Sequence, residues 1–322
     1  MSFWLENIQR IIDEIDICIK NGNDESYSLD RLAEALGYSR YTVSRKFHEI
    51  SGMSFRDYLR FRNLAFAFKE VRDTDRPLID IAIGRGFSSQ EAFSRAFRQV
   101  YGITPGEYRL HPVPVKLQTI IRPFDCYLLA ENAFKDKESK GDVKIYFAEI
   151  PEHKFLHIKN YESIGYWDFW QKQSLIPGQD CETVTGILDS IPHKLDDSGE
   201  SEANSGAGQV MAFINEPEGR ICSWGIPLAE CYGVRLPADY SGPVPEGMLM
   251  KHVPKGEYIV FEHGPFDYET ESASVEEKIE RAMREFDYEG NGCRLSPEYG
   301  RIFYFFHDTK RFFKYIRPIE RI

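Results

Sequence analysis

The chain has 322 residues, of which 42% are hydrophobic and 28% charged, so it can form the cores of two or three domains. No stretch approaches the roughly 18 apolar residues of a membrane-spanning helix, and the N-terminus lacks the apolar segment of a signal peptide. The six cysteines are scattered without a CxxC pattern, which favours free thiols. We therefore expect a cytoplasmic protein with no membrane partner.

The net charge of −11 is unevenly distributed along the chain. Residues 1–112 contain 16 basic and 16 acidic side chains, whereas the remainder contains 24 and 35. Within residues 39–110 there are 13 basic and 8 acidic side chains, a net charge of +5. This asymmetry indicates that one half of the chain meets phosphates and that the other half does not.

An internal repeat dominates the first third of the sequence. An amphipathic helix over residues 3–20 precedes it. Residues 27–60 then align with residues 78–110, and Gly37-Tyr38-Ser39 matches Gly86-Phe87-Ser88. Each copy predicts two short helices around a glycine-bearing turn, which is typical of a helix-turn-helix. Residues 54–73 predict one longer helix between the copies.

Capping signals mark the helix starts in this region. Ser88 and Glu91 stand at capping-box spacing, which predicts a helix beginning at Ser88. Ser54 with Asp57 begins the long helix, and Thr104-Pro105 begins a further short helix after the second motif.

The exposed faces of the two second helices are the candidate DNA-reading surfaces. Two such helices can enter successive major grooves, where arginine suits guanine, glutamine suits adenine and glutamate accepts from cytosine. Arg56, Arg60, Arg62 and Arg109 are expected to be phosphate contacts or solvated charges, as is Arg98, which is included among the DNA-binding residues. The full set of candidates is Arg40, Tyr41, Ser44, Arg45, Gln90, Glu91, Ser94, Arg95 and Arg98.

The stretch IAIGRGFSSQEAFSRAFRQVYGITPGEYR makes residues 1–110 resemble the DNA-binding domain of the AraC/XylS family of bacterial transcription regulators. The resemblance covers a third of the chain. It implies an all-α domain of seven helices with two helix-turn-helix motifs, and it implies that the positions above face the bases. Double-stranded promoter DNA is the expected partner, and RNA polymerase is a further candidate. Whether regulation is activation or repression stays open, although we expect an activator.

Residues 111–141 predict a linker, and residues 142–322 predict an α+β domain. Strand-like segments flank a proline turn near residue 151, and residues 165–174 predict a helix. TVTGIL (residues 183–188) and GQVMAFI (residues 208–214) are strand candidates, separated by an acidic loop at residues 196–208. The later segment around Val253-Pro254 repeats the segment around Ile150-Pro151 at an offset of 103 residues. A helix at residues 275–286 and strands at residues 301–307 and 312–318 follow.

Through VPKGEYIVFEHGPFDY and KYIRPIE this half resembles the GyrI-like effector-binding domain, an arrangement known from another AraC-family regulator. The resemblance implies two pseudo-symmetric β-helix-β-β repeats whose sheet surrounds a groove for a small molecule. Strand alternation directs Tyr258 and Glu262 toward that groove and Ile259 and Phe261 toward the helices. Relatives that bind cationic drugs have a glutamate in the penultimate strand, which is missing here, and Glu298 lies just before that strand. The candidate effector residues are Trp167, Trp170, Trp224, Tyr258, Glu262 and Glu298.

An acidic, aromatic groove would suit a cationic, aromatic or amphiphilic molecule. For the tryptophans and Glu262, core packing and a solvated edge charge remain the respective alternatives. No phosphate-binding or metal-binding motif is present, so no cofactor is expected. A Cys–His pair from Cys222 or Cys231 with His252 or His263 has no support beyond residue type. We expect no enzyme, and the alternative is a GyrI-like half that hydrolyses or sequesters small molecules.

Overall fold

The chain divides into two compact units in a computed structural model. The structure describes residues 2–21, 29–121, 137–196, 208–307 and 312–322. Unit 1 comprises residues 1–133 and 185–192, and unit 2 comprises residues 134–184 and 193–322.

Unit 1 is helical and contains the seven helices that the AraC/XylS resemblance implied, among the described residues. They are α1 Ser2–Asn21, α2 Leu29–Leu36, α3 Arg40–Ser51, α4 Phe55–Asp73, α5 Leu78–Gly84, α6 Gln90–Tyr101 and α7 Pro105–Leu110. Helices α2 and α3 form the first helix-turn-helix, and α5 and α6 form the second.

Local capping explains where the helices begin. The Ser39 side chain accepts from the Thr42 N–H at the start of α3, and the Ser89 side chain accepts from the Ala92 N–H at the start of α6. The predicted capping box at Ser88 is therefore wrong by one residue, because Ser89 is the neighbour placed to reach the free N–H groups of the first turn. The helix starts predicted at Ser54 and at Thr104-Pro105 are confirmed: the Ser54 side chain accepts from the Asp57 N–H, and Thr104 forms a capping box with Glu107.

Helix α4 is buried on both sides, because it contributes to two separate cores. Phe55 and Tyr58, near its start, pack with the buried residues of α1 and α3. Phe68 and Val71, near its end, pack with the buried residues of α5, α6 and α7. The two helix-turn-helix motifs are thus joined by one helix that is fixed in both cores.

Two segments outside the helix-turn-helix motifs complete unit 1. Val115 and Leu117, in the segment predicted as linker, are buried in the second core. The Val115 N–H donates to Ser190 Oγ at 3.0 Å, the Leu117 N–H donates to the Gly186 carbonyl at 3.3 Å, and the Tyr108 hydroxyl donates to the Ser190 carbonyl at 3.2 Å. Residues 185–192 are therefore part of unit 1 by packing, although they are distant from its helices in sequence.

Unit 2 is built on an antiparallel sheet whose path runs β1-β6-β9-β8-β3-β4-β2-β5, with β7 paired to β9. The strands are β1 Lys144–Ile150, β2 His153–Asn160, β3 Gln209–Ile221, β4 Pro227–Pro237, β5 Leu249–Val253, β6 Gly256–His263, β7 Cys293–Leu295, β8 Ile302–His307 and β9 Phe313–Arg321. The helices are α8 Tyr166–Gln173, α9 Cys181–Ser190 and α10 Tyr268–Glu285. Residues 185–190 of α9 belong to unit 1, and Gly186 and Ser190 make the contacts described above.

The strand order shows an internal two-fold symmetry. The symmetry relates β1 to β5, β2 to β6, β3 to β8 and β4 to β9. When these strands are exchanged, the result is the same strand order read from the opposite edge of the sheet. The offset of 103 residues superposes β2 on β6. The first strand of each half pairs with the other half, β1 with β6 and β5 with β2. Each repeat therefore has two strands before its helix, one more than the β-helix-β-β pattern predicted.

One predicted strand of unit 2 is wrong. TVTGIL lies in helix α9, and the Asp180 side chain accepts from the Thr183 N–H at 2.8 Å near the start of that helix. Val184 and Leu188 are buried four residues apart, a helical spacing. The β-branched residues that suggested a strand are outweighed by this cap and by packing. Of the predicted acidic loop, residues 197–207 lie outside the described residues.

We predict that Gly186→Ala destabilises the protein. A Cβ at this position would lie 2.3 Å from the Leu117 carbonyl oxygen, a backbone atom that cannot move aside cheaply. We expect the free energy of unfolding to fall by about 1–3 kcal/mol in denaturant titrations. Gly106→Ala is the matched control, because its Cβ would meet only the end of Leu78 at 3.9 Å in another helix of unit 1. Equal stability of the two variants would show that residues 185–192 do not pack against the segment around Leu117.

Candidate nucleic-acid interface and effector site

The exposed face of α3 carries the first set of predicted DNA-binding residues. Arg40, Tyr41 and Arg45 are exposed and Ser44 is half-buried. Val43 and Phe47, on the opposite face, are buried in the first core. The amphipathic spacing therefore directs these four side chains away from the core of unit 1.

The second set occupies the same positions on α6. Gln90, Glu91, Arg95 and Arg98 are exposed, and Ser94 is half-buried. Residues 41–50 and 91–100 have the same burial class at each position, with buried Val43 and Phe47 matching Phe93 and Phe97. Both helices also end on a left-handed glycine, Gly52 and Gly102. The structure thus presents two equivalent helix faces, offset by 50 residues.

The ion pairs on these faces are surface pairs. Arg40 lies 3.1 Å from Asp30, and Arg45 lies 3.5 Å from Glu49. All four side chains are largely exposed, so the pairs contribute little and can be exchanged for phosphates or bases. The pKa of Glu91 is lowered, mainly by its hydrogen bond with the Ser89 side chain. Glu91 therefore presents an ionised acceptor beside the N-cap of α6.

Two arginines that were expected to meet phosphate or solvent are structural. Arg62 is buried; its Nε donates to Asp16 at 2.8 Å, and its guanidinium also donates to the Gln118 carbonyl. Arg109 donates to the backbone carbonyls of Val71, Thr74 and Arg76. The earlier expectation is wrong for both, because tertiary contacts occupy the donors that a phosphate would need.

The three predicted effector-site tryptophans have different surroundings. Trp167 is exposed on α8, whereas Trp170 on the same helix is buried against Tyr232, with ring centroids 4.9 Å apart. Trp224 lies in the turn between β3 and β4, stacked over Phe303 and over the guanidinium of Arg317. Only Trp224 of these three lines the cavity described below.

The predicted acidic residues and Tyr258 lie elsewhere. Glu262 lies 3.8 Å from Lys144 Nζ and 3.5 Å from Lys314 Nζ and accepts from the Tyr146 hydroxyl, so neighbouring groups balance its charge. Glu298 is exposed and pairs with Arg301 at 2.7 Å. Tyr258 is fully buried in the core that includes Val260 and Tyr304. The predicted alternation along β6 is present, since Ile259 and Phe261 pack with α10.

A cavity of about 250 Å³ lies beside α10 in unit 2. Its apolar wall includes Phe213, Trp224, Met283, Phe303 and Tyr315, and its charged residues are Glu280, Arg284 and Arg317. Arg317 was not among the predicted effector residues, although it interrupts the apolar side chains of Tyr315 and Ile319 on one face of β9. The sequence did contain a signal for this residue, because an arginine stands among strand positions that face inward.

The part of the chain that the structure describes gives little support for a metal site or for a nucleophilic side chain. No group of histidine, cysteine and carboxylate side chains there could hold a metal ion. His153 and His157 are buried, which lowers the pKa of each to about 4 and keeps the rings neutral at pH 7. Burial raises the pKa of the Cys231 thiol and so disfavours a nucleophilic thiolate. Among the described helices, none is long and apolar enough to cross a bilayer.

Comparison with known proteins identifies the helical unit. A family profile described as a helix-turn-helix domain matches residues 32–111. The chain is 38% identical over 101 residues to the regulatory protein SoxS of Escherichia coli K12, covering 31% of this chain and 94% of SoxS. It is 38% identical over 100 residues to the transcriptional activator AarP of Providencia stuartii, covering 31% of this chain and 74% of AarP. The right origin-binding protein of E. coli K12 is 36% identical over 102 residues, which are 32% of this chain and 35% of that protein.

Two solved structures are also similar to this region. A regulator with an AraC-type DNA-binding domain from Chromobacterium violaceum is 28% identical with a TM-score of 0.28, covering 32% of this chain and 96% of that one. The C-terminal domain of AraT from Geobacillus stearothermophilus is 28% identical with a TM-score of 0.29, covering 32% and 84%.

The doubled motif, the helix-turn-helix profile and the sequence relatives define a DNA-binding transcriptional regulator of the helix-turn-helix class. More particularly, the chain belongs to the AraC family of transcription regulators.

We predict that Arg62→Ala lowers stability without weakening phosphate contact. Removing the guanidinium leaves Asp16 without its buried partner, which costs about 3–5 kcal/mol of unfolding free energy. Arg60→Ala is the control, because Arg60 is half-exposed and 4.0 Å from Asp57, and we expect a change within about 0.5 kcal/mol. Denaturant titration measures both. An Arg62→Ala protein with normal stability and a shallower salt dependence of DNA binding would instead assign Arg62 to phosphate.

Proposed function

We propose that this regulator reads one asymmetric DNA site with both recognition helices, α3 and α6, and that a small molecule bound in unit 2 modulates its affinity for DNA. The single observation that carries the first part is the equivalence of the two helix faces. Their burial pattern is the same position by position, so each motif exposes equivalent positions. One chain can then contact two successive major grooves, about 34 Å apart, without forming a dimer.

Each helix face combines groups suited to base edges. Arg45 and Arg95 occupy equivalent positions, and an arginine there can donate two hydrogen bonds to guanine. Arg40, Tyr41 and Ser44 on α3, and Gln90, Glu91 and Ser94 on α6, supply the remaining candidate contacts. Arg98 is exposed one helical turn further along and is assigned to phosphate.

The effector role rests on the cavity and on the path of the chain. An aromatic cavity with a few charged groups is the usual form of a small-molecule site. Residues 185–192 belong to unit 1, while the residues on either side of them in sequence belong to unit 2. The chain therefore leaves the effector unit, contributes to the DNA-binding unit and returns, which offers a covalent route for coupling. The GyrI-like resemblance supports the same assignment.

We predict that Arg45→Ala and Arg95→Ala each relax specificity at one base pair. The probe is a duplex selected by this protein from a random-sequence pool. Each variant loses one bidentate base contact, so we expect discrimination at a different position to fall by about 1–3 kcal/mol in mobility-shift titrations. Arg281→Ala is the control, since Arg281 is an exposed residue of α10 paired with Glu277. If both variants bind the selected site and its mutants as the wild type does, the base-contact assignment is wrong.

The effector role predicts thermodynamic coupling between a ligand and DNA. Cell metabolites that raise the Tm of the full chain are added to the same mobility-shift titration. At least one of them should change the DNA dissociation constant by about 5- to 150-fold, the usual range of allosteric coupling. Stabilising compounds that all leave DNA affinity unchanged would contradict the effector role.

A further inference from the structure

Arg317 is a buried arginine with unused donors. Its side chain is 2% exposed, although it lies on a strand of the sheet and lines the cavity of unit 2. Nη1 donates to the Tyr288 hydroxyl at 2.6 Å. Nε and Nη2 have no hydrogen-bond partner among the described residues. A buried guanidinium without a counter-ion is costly, so a partner for these two atoms would be stabilising.

The two unused donors lie on the same edge of the guanidinium. The N–H groups of Nε and Nη2 are parallel, and this edge binds the two oxygens of a carboxylate side by side. The face of the guanidinium is already covered by the Trp224 ring, whose centroid lies 3.9 Å from Cζ. Stacking on the face leaves the edge free. The arrangement therefore selects a planar anion that approaches in the plane of the guanidinium.

The remaining walls of the cavity indicate the rest of the ligand. Phe213, Phe303 and Met283 offer apolar and aromatic surface to a flat ring. The other charged residues, Glu280 and Arg284, lie 3.6 Å apart and are more than half exposed, so they balance each other. The uncompensated charge of the site is thus the positive charge of Arg317.

We propose that this cavity binds a small aromatic carboxylate, with the carboxylate paired to the Nε and Nη2 edge of Arg317 and the ring packed against Trp224 and Phe303. The inference rests on the proposed effector function, for which it names the chemical class of the ligand. The ligand has the opposite charge from the cationic molecule that the sequence suggested. Glu262 and Glu298, which supported a cation, pair with lysines and with Arg301 and do not line the cavity.

Calorimetric titration of the full chain tests this proposal with three probes that share a naphthalene ring. They are naphthalene-2-carboxylate, its neutral amide and 2-naphthylmethylammonium. We expect the carboxylate to bind at least tenfold more tightly than either of the others. Equal binding of the carboxylate and the amide, or tighter binding of the ammonium compound, would overturn the proposal.

Substitutions of Arg317 test whether this residue binds the carboxylate. We expect Arg317→Met to weaken carboxylate binding at least tenfold and Arg317→Lys to weaken it less, because lysine keeps the charge and loses the paired donors. Arg281→Met, on α10 and outside the cavity lining, should bind as the wild type does. An Arg317→Met protein that binds the carboxylate normally would refute the site. If that variant does not fold, Arg317→Lys and the probe series on the wild type decide the question.

A DNA titration separates this inference from the proposed effector role. The mobility-shift experiment is repeated with naphthalene-2-carboxylate at saturation. Carboxylate binding that depends on Arg317 but leaves DNA affinity unchanged supports the site and contradicts the effector role for this cavity. Modulation of DNA binding by other compounds, without carboxylate binding, supports the effector role and refutes the site.

Discussion

The DNA-binding unit depends on the burial of α4 from both sides. Phe47 packs on Tyr58 near the start of this helix, and Phe97 stacks on Phe68 near its end, with ring centroids 5.6 and 5.5 Å apart. Since α4 has 19 residues, it spans about 28 Å, and each recognition helix is held near one end of it. The separation of the two proposed DNA-reading surfaces is therefore set by the length of one rigid element. A flexible connection between the motifs would not fix this separation.

Buried ion pairs stabilise α4. The arginines of this unit therefore fall into two groups, those in such pairs and those on exposed faces. Arg62 ties α4 to Asp16 of α1, and Arg85 joins Glu70 of α4 and donates to the Ile19 carbonyl. These guanidinium groups hold the two motifs together and are unavailable to DNA. Arg45 and Arg95, on the outward faces of α3 and α6, have no comparable anchor. The basic residues of the segment 39–110 thus include arginines that stabilise the fold and exposed arginines that are proposed to contact DNA.

Unit 2 is also built from two repeats, but its repeats are joined by strand pairing. Its two halves exchange their first strands, so neither half completes its sheet without the other. The sheet buries apolar side chains on both faces, one against α10 and the other in the core around Tyr258 and Tyr304. Arg317 is an exception to this apolar rule on the α10 side. A charge retained in such a position has an energetic cost, and a ligand that neutralises it would explain why the position is not apolar.

The sequence by itself determined the elements whose causes are local. Helical periodicity, capping residues and the repeat were enough to predict α1 to α7 and the outward positions of Arg45 and Arg95, and the offset of 103 residues revealed the second duplication. Tertiary structure alone decided what depends on distant contacts. Arg60 and Arg62 look alike in sequence, but only Arg62 meets Asp16. TVTGIL became a helix that packs against residues 115–117. Trp224 and Arg317 line one cavity although they are far apart in the chain, because pairing of the strands, which no local pattern encodes, brings them together.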